Sequence, residues 1–461
     1  MKRRDLKEER AAAESPAGKR VTVVGLGRFG GGLGVTKWLV AQGARVTVSD
    51  KANARDLAES LAQLEGLDVE LHLGGHADED FLNADLLVVS PAVDPNMPLL
   101  QKAAQAGIPR TSEINLFMER CPAPMVGITG SVGKSTTSAM TAAILSTKFT
   151  THLGGNIGKS LLETLDQIEA THIVVLELSS FQLEQLSLIA LSPYVAVVTN
   201  VAPNHLDRHG TMDAYCQAKK NIFRFQRHSD VLVLNANDPI VASWAAEAPG
   251  RVEFFQGSLL IDGEAAAPEL STDPPKRFNL PTPGEHNQTN AQAAWTAAKQ
   301  FGVTWEEAQK ALMQYSSLPH RLQYVANRDG VKYYNDSKCT TPGGAIVALR
   351  SFEAGKTIII AGGYDKGVEF DELGSEIAAR AKAVVLLGAT ADKIAMSIEP
   401  HRVEGRPVVM RASDLGDAVR LARQIAQEGD VVLLSPACAS YDMFINYEQR
   451  GELFVKLVTG A

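Results

Sequence analysis

The stretch that most constrains this chain is Pro124-Met-Val-Gly-Ile-Thr-Gly-Ser-Val-Gly-Lys-Ser-Thr-Thr137. A short apolar run leads into a glycine-rich turn, and Gly133-Lys134-Ser135 opens an Ala- and Met-rich helical pattern. Such a turn lets backbone N–H groups close on phosphate oxygens at a helix N-terminus, where the dipole is positive. Lys134 would neutralise β/γ charge and the Ser135 hydroxyl would hold Mg²⁺, with Gly130 and Thr136 completing the cradle. The strict pattern puts a glycine five positions before Gly133, where Ile128 stands; Gly127 and Gly130 make this a variant loop. A strand–loop–helix of this kind demands an α/β sheet with ligands at the carboxyl ends of its strands.

Two further βα series flank it. Val21 to Leu26 reads as a buried strand, Gly25, Gly27 and Gly30 form a GxGxxG turn into a helix over Val35 to Gln42, and a second strand, Arg45 to Ser49, ends at Asp50. By itself this unit suits a dinucleotide, with an acid about 20 residues on for a ribose, though other nucleotides use such turns. A third strand over Asp85 to Val89 stops at Ser90-Pro91. Beyond the phosphate loop, the strand His172 to Leu176 carries Glu177 at its carboxyl end, placed to share a Mg²⁺ with Ser135, although a solvated cap is the plain reading. Tyr194 to Thr199 leads to a polar loop in which His205 is a metal or substrate ligand or a merely structural histidine. Met212 to Phe225 is helical and carries Lys219 and Lys220, Asn287 to Gln300 is helical, and Leu259 to Pro281 reads as hairpins or surface loop. The last series runs through Tyr333 to Lys338, a helix at Pro342 to Leu349, and strands at Lys356 to Ala361, Val384 to Leu387 and Val431 to Leu434.

The expectation is an α/β protein of three domains: Rossmann-like over 21–112, a central phosphate-loop ATPase type with a mostly parallel sheet over 113–318, and Rossmann-like again over 319–461, after a disordered tail at 1–20. A net charge of −8 argues against a nucleic-acid partner held by phosphate contacts. No apolar run approaches the roughly 18 residues of a membrane span. Four cysteines without CxxC spacing suggest neither zinc nor disulfides, so a reducing cytoplasm is expected.

Several phrases together resemble one family, the Mur ligases. They are Gly127 to Thr136, Gly154-Gly-Asn-Ile-Gly158, Leu176-Glu-Leu-Ser-Ser-Phe-Gln-Leu183, Asn200 to Arg208, Leu318-Pro-His-Arg321, Asn335-Asp-Ser-Lys338, Gly362-Gly-Tyr-Asp-Lys-Gly367 and Ser435-Pro-Ala-Cys-Ala-Ser440. The spacing of Gly127 and Gly130 is that of the family's loop. Within the family, Glu177 to Leu183, Asn335 to Lys338 and Ser435 to Ser440 with Gln449-Arg-Gly451 look like the members that add D-glutamate. The resemblance implies ATP-dependent amide formation in peptidoglycan synthesis, with UDP-N-acetylmuramoyl-L-alanine and D-glutamate as partners, through an acyl phosphate and a tetrahedral intermediate, in a monomer.

It also implies roles. Lys134, Glu177, His205 and Lys219 would be catalytic; Ser135, Glu177, His205 and a carbamylated Lys219 would serve two Mg²⁺ ions. Asn287, Asn290, His320, Arg321, Asp336 and Lys338 would face nucleotide. Gly27, Gly30, Asp50, Ser90, Asn156 and His205 would see the UDP substrate, and Lys366, Ser440 and Tyr447 would take D-glutamate. The GxGxxG turn would then bind uridine diphosphate and no redox cofactor. The sequence departs from the family at Arg28-Phe29, the tract Gly30 to Gly34, Ala92, Ser131-Val132, Cys339 to Pro342 and Tyr447. None of these removes a charged or metal-binding group.

Overall fold

The computed structural model describes residues 14–27, 30–255 and 277–460. Arg28 and Phe29, residues 1–13 of the expected tail and residues 259–276 of the expected surface loop lie outside the described residues.

Three sheets follow one another along the chain. The first holds β1 (Arg20–Val24), β2 (Arg45–Asp50), β3 (Val69–Leu73), β4 (Leu86–Val89) and β5 (Arg110–Thr111), in the order β3-β2-β1-β4-β5 with every pair parallel. The second holds β6 (Met125–Thr129), β7 (Thr151–Gly155), β8 (Ile173–Glu177), β9 (Val195–Val198), β10 (Val231–Asn235) and β11 (Arg251–Phe255), in the order β11-β10-β9-β6-β8-β7, again all parallel. The third holds β12 (Gln323–Arg328), β13 (Val331–Asn335), β14 (Thr357–Ala361), β15 (Ala381–Leu386), β16 (Val408–Arg411) and β17 (Val431–Leu434), in the order β12-β13-β17-β14-β15-β16. It is mixed, because β12 pairs antiparallel with β13 while the remaining pairs are parallel.

Each sheet reverses its strand order at a central strand, and the glycine-rich or polar loops leave from there. β1 lies between β2 and β4, β6 between β9 and β8, and β17 between β13 and β14. Ligands of open parallel sheets bind in the crevice such a reversal opens. The central strands are buried on both faces, as their unbroken Val, Ile and Leu runs require.

The chain forms two compact units. Residues up to 276 together with 290–308 make the first, and 277–289 with 309–461 the second. One apolar core runs through the first and second sheets, from Val21 and Leu39 to Leu176 and Leu232, whereas the third sheet has its own clusters on its two faces. The first helix spans Gly31–Ala41, four residues earlier than its apolar pattern announces. Its glycines explain this: Gly30 takes a left-handed φ of 86° at the N-cap, and a Cβ on Gly32 would lie 2.3 Å from the Leu26 carbonyl oxygen.

Candidate active site

In the first unit the phosphate loop leaves β6 and is laced to the loop after β9. Ser131 N–H donates to the Asn200 carbonyl (3.0 Å), Val132 N–H to Asn200 Oδ1 (3.0 Å), and Thr199 Oγ1 to the Val132 carbonyl (2.8 Å). The approach is so close that a Cβ on Gly130, at φ 153°, would fall 1.9 Å from Thr199 Oγ1. Gly133 sits at φ 84°, with Asn290 Oδ1 2.6 Å from where its Cβ would be, and Thr137 Oγ1 donates to the same oxygen at 3.2 Å. Ser135 is buried and Thr136 half-buried in the first turn of the helix Lys134–Leu145. Lys134 Nζ donates to the Gly130 and Ser131 carbonyls (2.8 and 3.0 Å), so its charge rests on the loop itself.

Around this loop stand several of the other residues the sequence singled out. Glu177, at the end of β8, is 2% exposed; Asn156 Nδ2 donates to its Oε1 at 2.9 Å, and its Oε2 is buried without a hydrogen-bond partner. Gly155 permits this arrangement, since a Cβ there would meet the Glu177 carbonyl oxygen at 2.2 Å. An orphaned buried carboxylate oxygen beside a phosphate loop is costly unless a cation completes it, so these residues fit Mg²⁺. Among the described residues no group of three or more His, Cys, Asp and Glu forms a cage of its own. Mg²⁺ commonly takes one or two carboxylates and completes its shell with phosphates and water.

Lys219, in the helix Met212–Arg224, is 1% exposed. Its Nζ donates to the Gly130 carbonyl (2.9 Å) and Thr129 Oγ1 (3.4 Å) and lies 4.6 Å from the centre of the Tyr215 ring. Burial, then repulsion from Lys134, holds its ammonium well below the usual lysine range. Lys220 points elsewhere, to Glu247 at 2.5 Å. His205 caps a short helix at φ 54°, with its ring 5.0 Å from Phe181. Partial burial, then the charge of Lys134, lowers its pKa and leaves an imidazole lone pair free of a proton at neutral pH.

At the first sheet the carboxylate of Asp50 is spent on backbone. Its Oδ2 accepts the N–H groups of Leu26 (2.8 Å) and Gly27 (3.2 Å), and its Oδ1 that of Ala52 (2.8 Å). It therefore braces the glycine turn, and Ser90 follows β4 alongside, its Cβ 3.0 Å from where one on Gly25 would stand. One residue without an assigned role joins this loop to the phosphate side. Arg208 Nη2 donates to the Pro91 and Val93 carbonyls (3.3 and 3.0 Å), its guanidinium lies 5.0 Å from the centre of the Phe181 ring, and its Nε is buried without a partner. The only signal in the sequence was its place at the end of the Asn200 to Arg208 phrase.

The second unit carries the remaining residues. The helix Glu285–Ala298 is shared between the units: Asn287, which donates to the Pro283 carbonyl (2.6 Å), belongs to the second and Asn290 to the first. After β13, Asp336 accepts from Ser435 Oγ (2.9 Å) and the Leu322 N–H (3.2 Å), and burial pushes its carboxyl up to about 7. The Asp336 carboxylate feels the charge of Arg321, while Lys338 Nζ lies 5.2 Å from the centre of the Tyr447 ring. His320, at φ 62°, shares a 3.0 Å hydrogen bond with Asn335, and its ring meets that of Tyr447 edge-on at 6.0 Å. Lys366 is exposed in the loop after β14, and Ser440 is buried in the loop after β17.

These features define a phosphate-loop protein built from three α/β sheets, each opening its reversal point toward a polar loop. Models of three Mur ligase domains match successive stretches of the sequence: the MurD-like N-terminal domain at residues 19–112, the middle domain at 128–298 and the glutamate ligase domain at 320–438. The chain belongs to the Mur ligase family. A UDP-N-acetylmuramoylalanine–D-glutamate ligase of Roseiflexus sp. (strain RS-1) is 43% identical, with 96% of this chain and 98% of the relative covered. One of Symbiobacterium thermophilum is 41% identical over 95% and 98%. Among solved structures, the UDP-N-acetylmuramate–alanine ligase MurC of Thermotoga maritima shares the fold with a TM-score of 0.60 at 18% identity, covering 96% of this chain and 99% of that one.

Proposed function

We propose that this protein joins D-glutamate to the carboxylate of UDP-N-acetylmuramoyl-L-alanine, cleaving ATP to ADP and phosphate, in cytoplasmic peptidoglycan precursor synthesis. It acts as a monomer of three domains, 21–112, 113–318 and 319–461. The observation that carries the reading is the full-length similarity to ligases of that name, 43% identical over 96% of this chain.

A carboxylate is a poor electrophile and phosphate a good leaving group. The γ-phosphoryl group passes to the muramoyl-alanine carboxylate, the amine of D-glutamate attacks the acyl phosphate, and a tetrahedral intermediate expels phosphate. Lys134 exchanges its two loop carbonyls for phosphate oxygens, and the N–H groups of Gly130 to Thr136 cradle them. Ser135, Glu177, His205 and a carbamylated Lys219 would hold two Mg²⁺ ions, whose charge would neutralise phosphate oxygens during transfer. Carbamylation converts the buried Lys219 amine and CO₂ to an anionic carbamate and a proton, so repulsion from Lys134 becomes attraction. Asn287, Asn290, His320, Arg321, Asp336 and Lys338 contact nucleotide. Gly27, Gly30, Asp50, Ser90, Asn156 and His205 serve the UDP substrate, with Asp50 acting through the turn it braces. Lys366, Ser440 and Tyr447 take D-glutamate.

The test is phosphate release from ATP and Mg²⁺ against an amino-acid panel. Release is expected only with UDP-N-acetylmuramoyl-L-alanine and D-glutamate both present. Release with a different amine points to a sister ligase, and nucleotide binding without release rules out catalysis by this site.

A further inference from the structure

The second unit buries a cation that has no acid. Arg450, in the helix Tyr447–Thr459, is 1% exposed, and no carboxylate among the described residues pairs with it. Its Nε donates to Ser337 Oγ (3.0 Å), and its Nη nitrogens to the carbonyls of Ser337 (2.8 Å), Cys438 (3.1 Å) and Ala439 (3.4 Å). Gly363 passes so near that a Cβ there would lie 3.4 Å from Nη1. One guanidinium therefore hydrogen-bonds the loops that follow β13 and β17 and lies close to Gly363 in the loop after β14.

Neutral oxygens satisfy its N–H groups without cancelling its charge. Burial lowers its pKa to about 10, so it remains a cation at neutral pH. Taking a charge out of water costs several kcal/mol, and an apolar side chain of similar volume avoids that cost. Among the described residues the carboxylate whose charge it feels, after the thiols of Cys438 and Cys339, is that of Asp442, which is exposed and accepts the Ala389 N–H at 3.1 Å. An uncompensated positive charge beneath these loops raises the potential where they open, which favours an anionic ligand. Two of the loops carry Lys366 and Ser440, and the fork grips the carbonyl of the residue before Ser440.

We propose that Arg450 is a positioning residue for the amino-acid substrate: it fixes the Cys438 to Ser440 and Gly363 loops and lends a buried positive charge to the binding of the D-glutamate carboxylates. This rests on the assignment of D-glutamate to those loops. The experiment measures KM for D-glutamate, ATP and the UDP substrate, with kcat and melting temperature, in wild type, Arg450→Lys and Arg450→Met. Arg450→Met is expected to raise KM for D-glutamate about tenfold while KM for ATP stays within about twofold; Arg450→Lys, which keeps the charge, holds KM for D-glutamate within about threefold. Equal shifts in all three KM values, or a loss of kcat and melting temperature alone, would show a structural strut and overturn the proposal. If Arg450→Met does not fold, Asp442→Asn reads the same field with opposite sign. KM for D-glutamate then falls about twofold, and an unchanged or higher value overturns the proposal. Wild type that turns over no D-glutamate overturns both this proposal and the reading it rests on. Wild-type turnover with unmoved KM in the variants overturns this one alone.

Discussion

Lys219 shows how much chemistry one position can carry. Its burial and its neighbour Lys134 both disfavour the ammonium form, so a larger share of amine is neutral and able to take up CO₂ than in a solvated lysine. Activity is therefore expected to fall when CO₂ is stripped from the buffer and to return with bicarbonate. ¹³CO₂ should give a carbamate resonance that Lys219→Met lacks, and Lys219→Ala should lose most turnover. Full activity of Lys219→Ala would dismiss the carbamate. Asp336 gives a second handle. Its carboxyl is raised to about 7 by burial in the folded protein, so the folded state binds the extra proton. Stability is then full below the ordinary carboxylate range and falls as pH rises toward 7. Asp336→Asn removes that cost. The second unit's melting free energy should rise by about 2 kcal/mol at pH 8, with no gain at pH 4, while turnover falls. A gain of the same size at both pH values would deny that the carboxyl is raised.

At the scale of elements, the phosphate loop depends on contact with its neighbouring strand end as well as on glycine freedom. Gly130→Ala places a Cβ against Thr199 Oγ1 and strains a backbone that L residues rarely adopt. It should cost about 1–3 kcal/mol and weaken binding of a nonhydrolysable ATP analogue at least about tenfold, by calorimetry. Adding Thr199→Ala removes the clashing atom and should recover part of the loss; recovery of none would leave backbone strain as the whole cause. The loop was legible in the sequence because its glycines and its lysine stand together. Strands were legible by position: the central ones are continuous apolar runs. β3, β5, β7, β11 and β16, all at or beside solvent on sheet edges, were not announced by their sequences. Val69–Leu73 has only half-buried and exposed positions, and Thr151–Gly155 ends in two glycines, one packed against the Leu161 side chain and one against the Glu177 backbone. An edge strand buries too little to demand an apolar pattern. Arg208 and Arg450 stand in phrases of the resemblance, but their contacts were hidden for a different reason. Each acts through carbonyl oxygens of distant loops, and a carbonyl leaves no mark on residue identity.

For the whole molecule, the three-sheet plan could be read from the motif after each central strand, but the way the sheets share cores could not. A Cβ on Gly34 of the first helix would lie 2.4 Å from Ser160 Cβ, and Ser160 Oγ donates to Glu113 at 2.5 Å. These contacts tie the first sheet's helix to the second sheet's layer, and one apolar cluster runs through both. The third sheet's clusters contain no residue of the first two. Cooperative unfolding follows continuous cores, so calorimetry should resolve two transitions rather than three. Gly130→Ala should lower the transition of the first unit, by about 1–3 kcal/mol. Asp336→Asn should move the other transition at pH 8. Three separate transitions, or Asp336→Asn shifting the transition that Gly130→Ala lowers, would show that cooperativity follows the individual sheets or the entire chain instead of the cores.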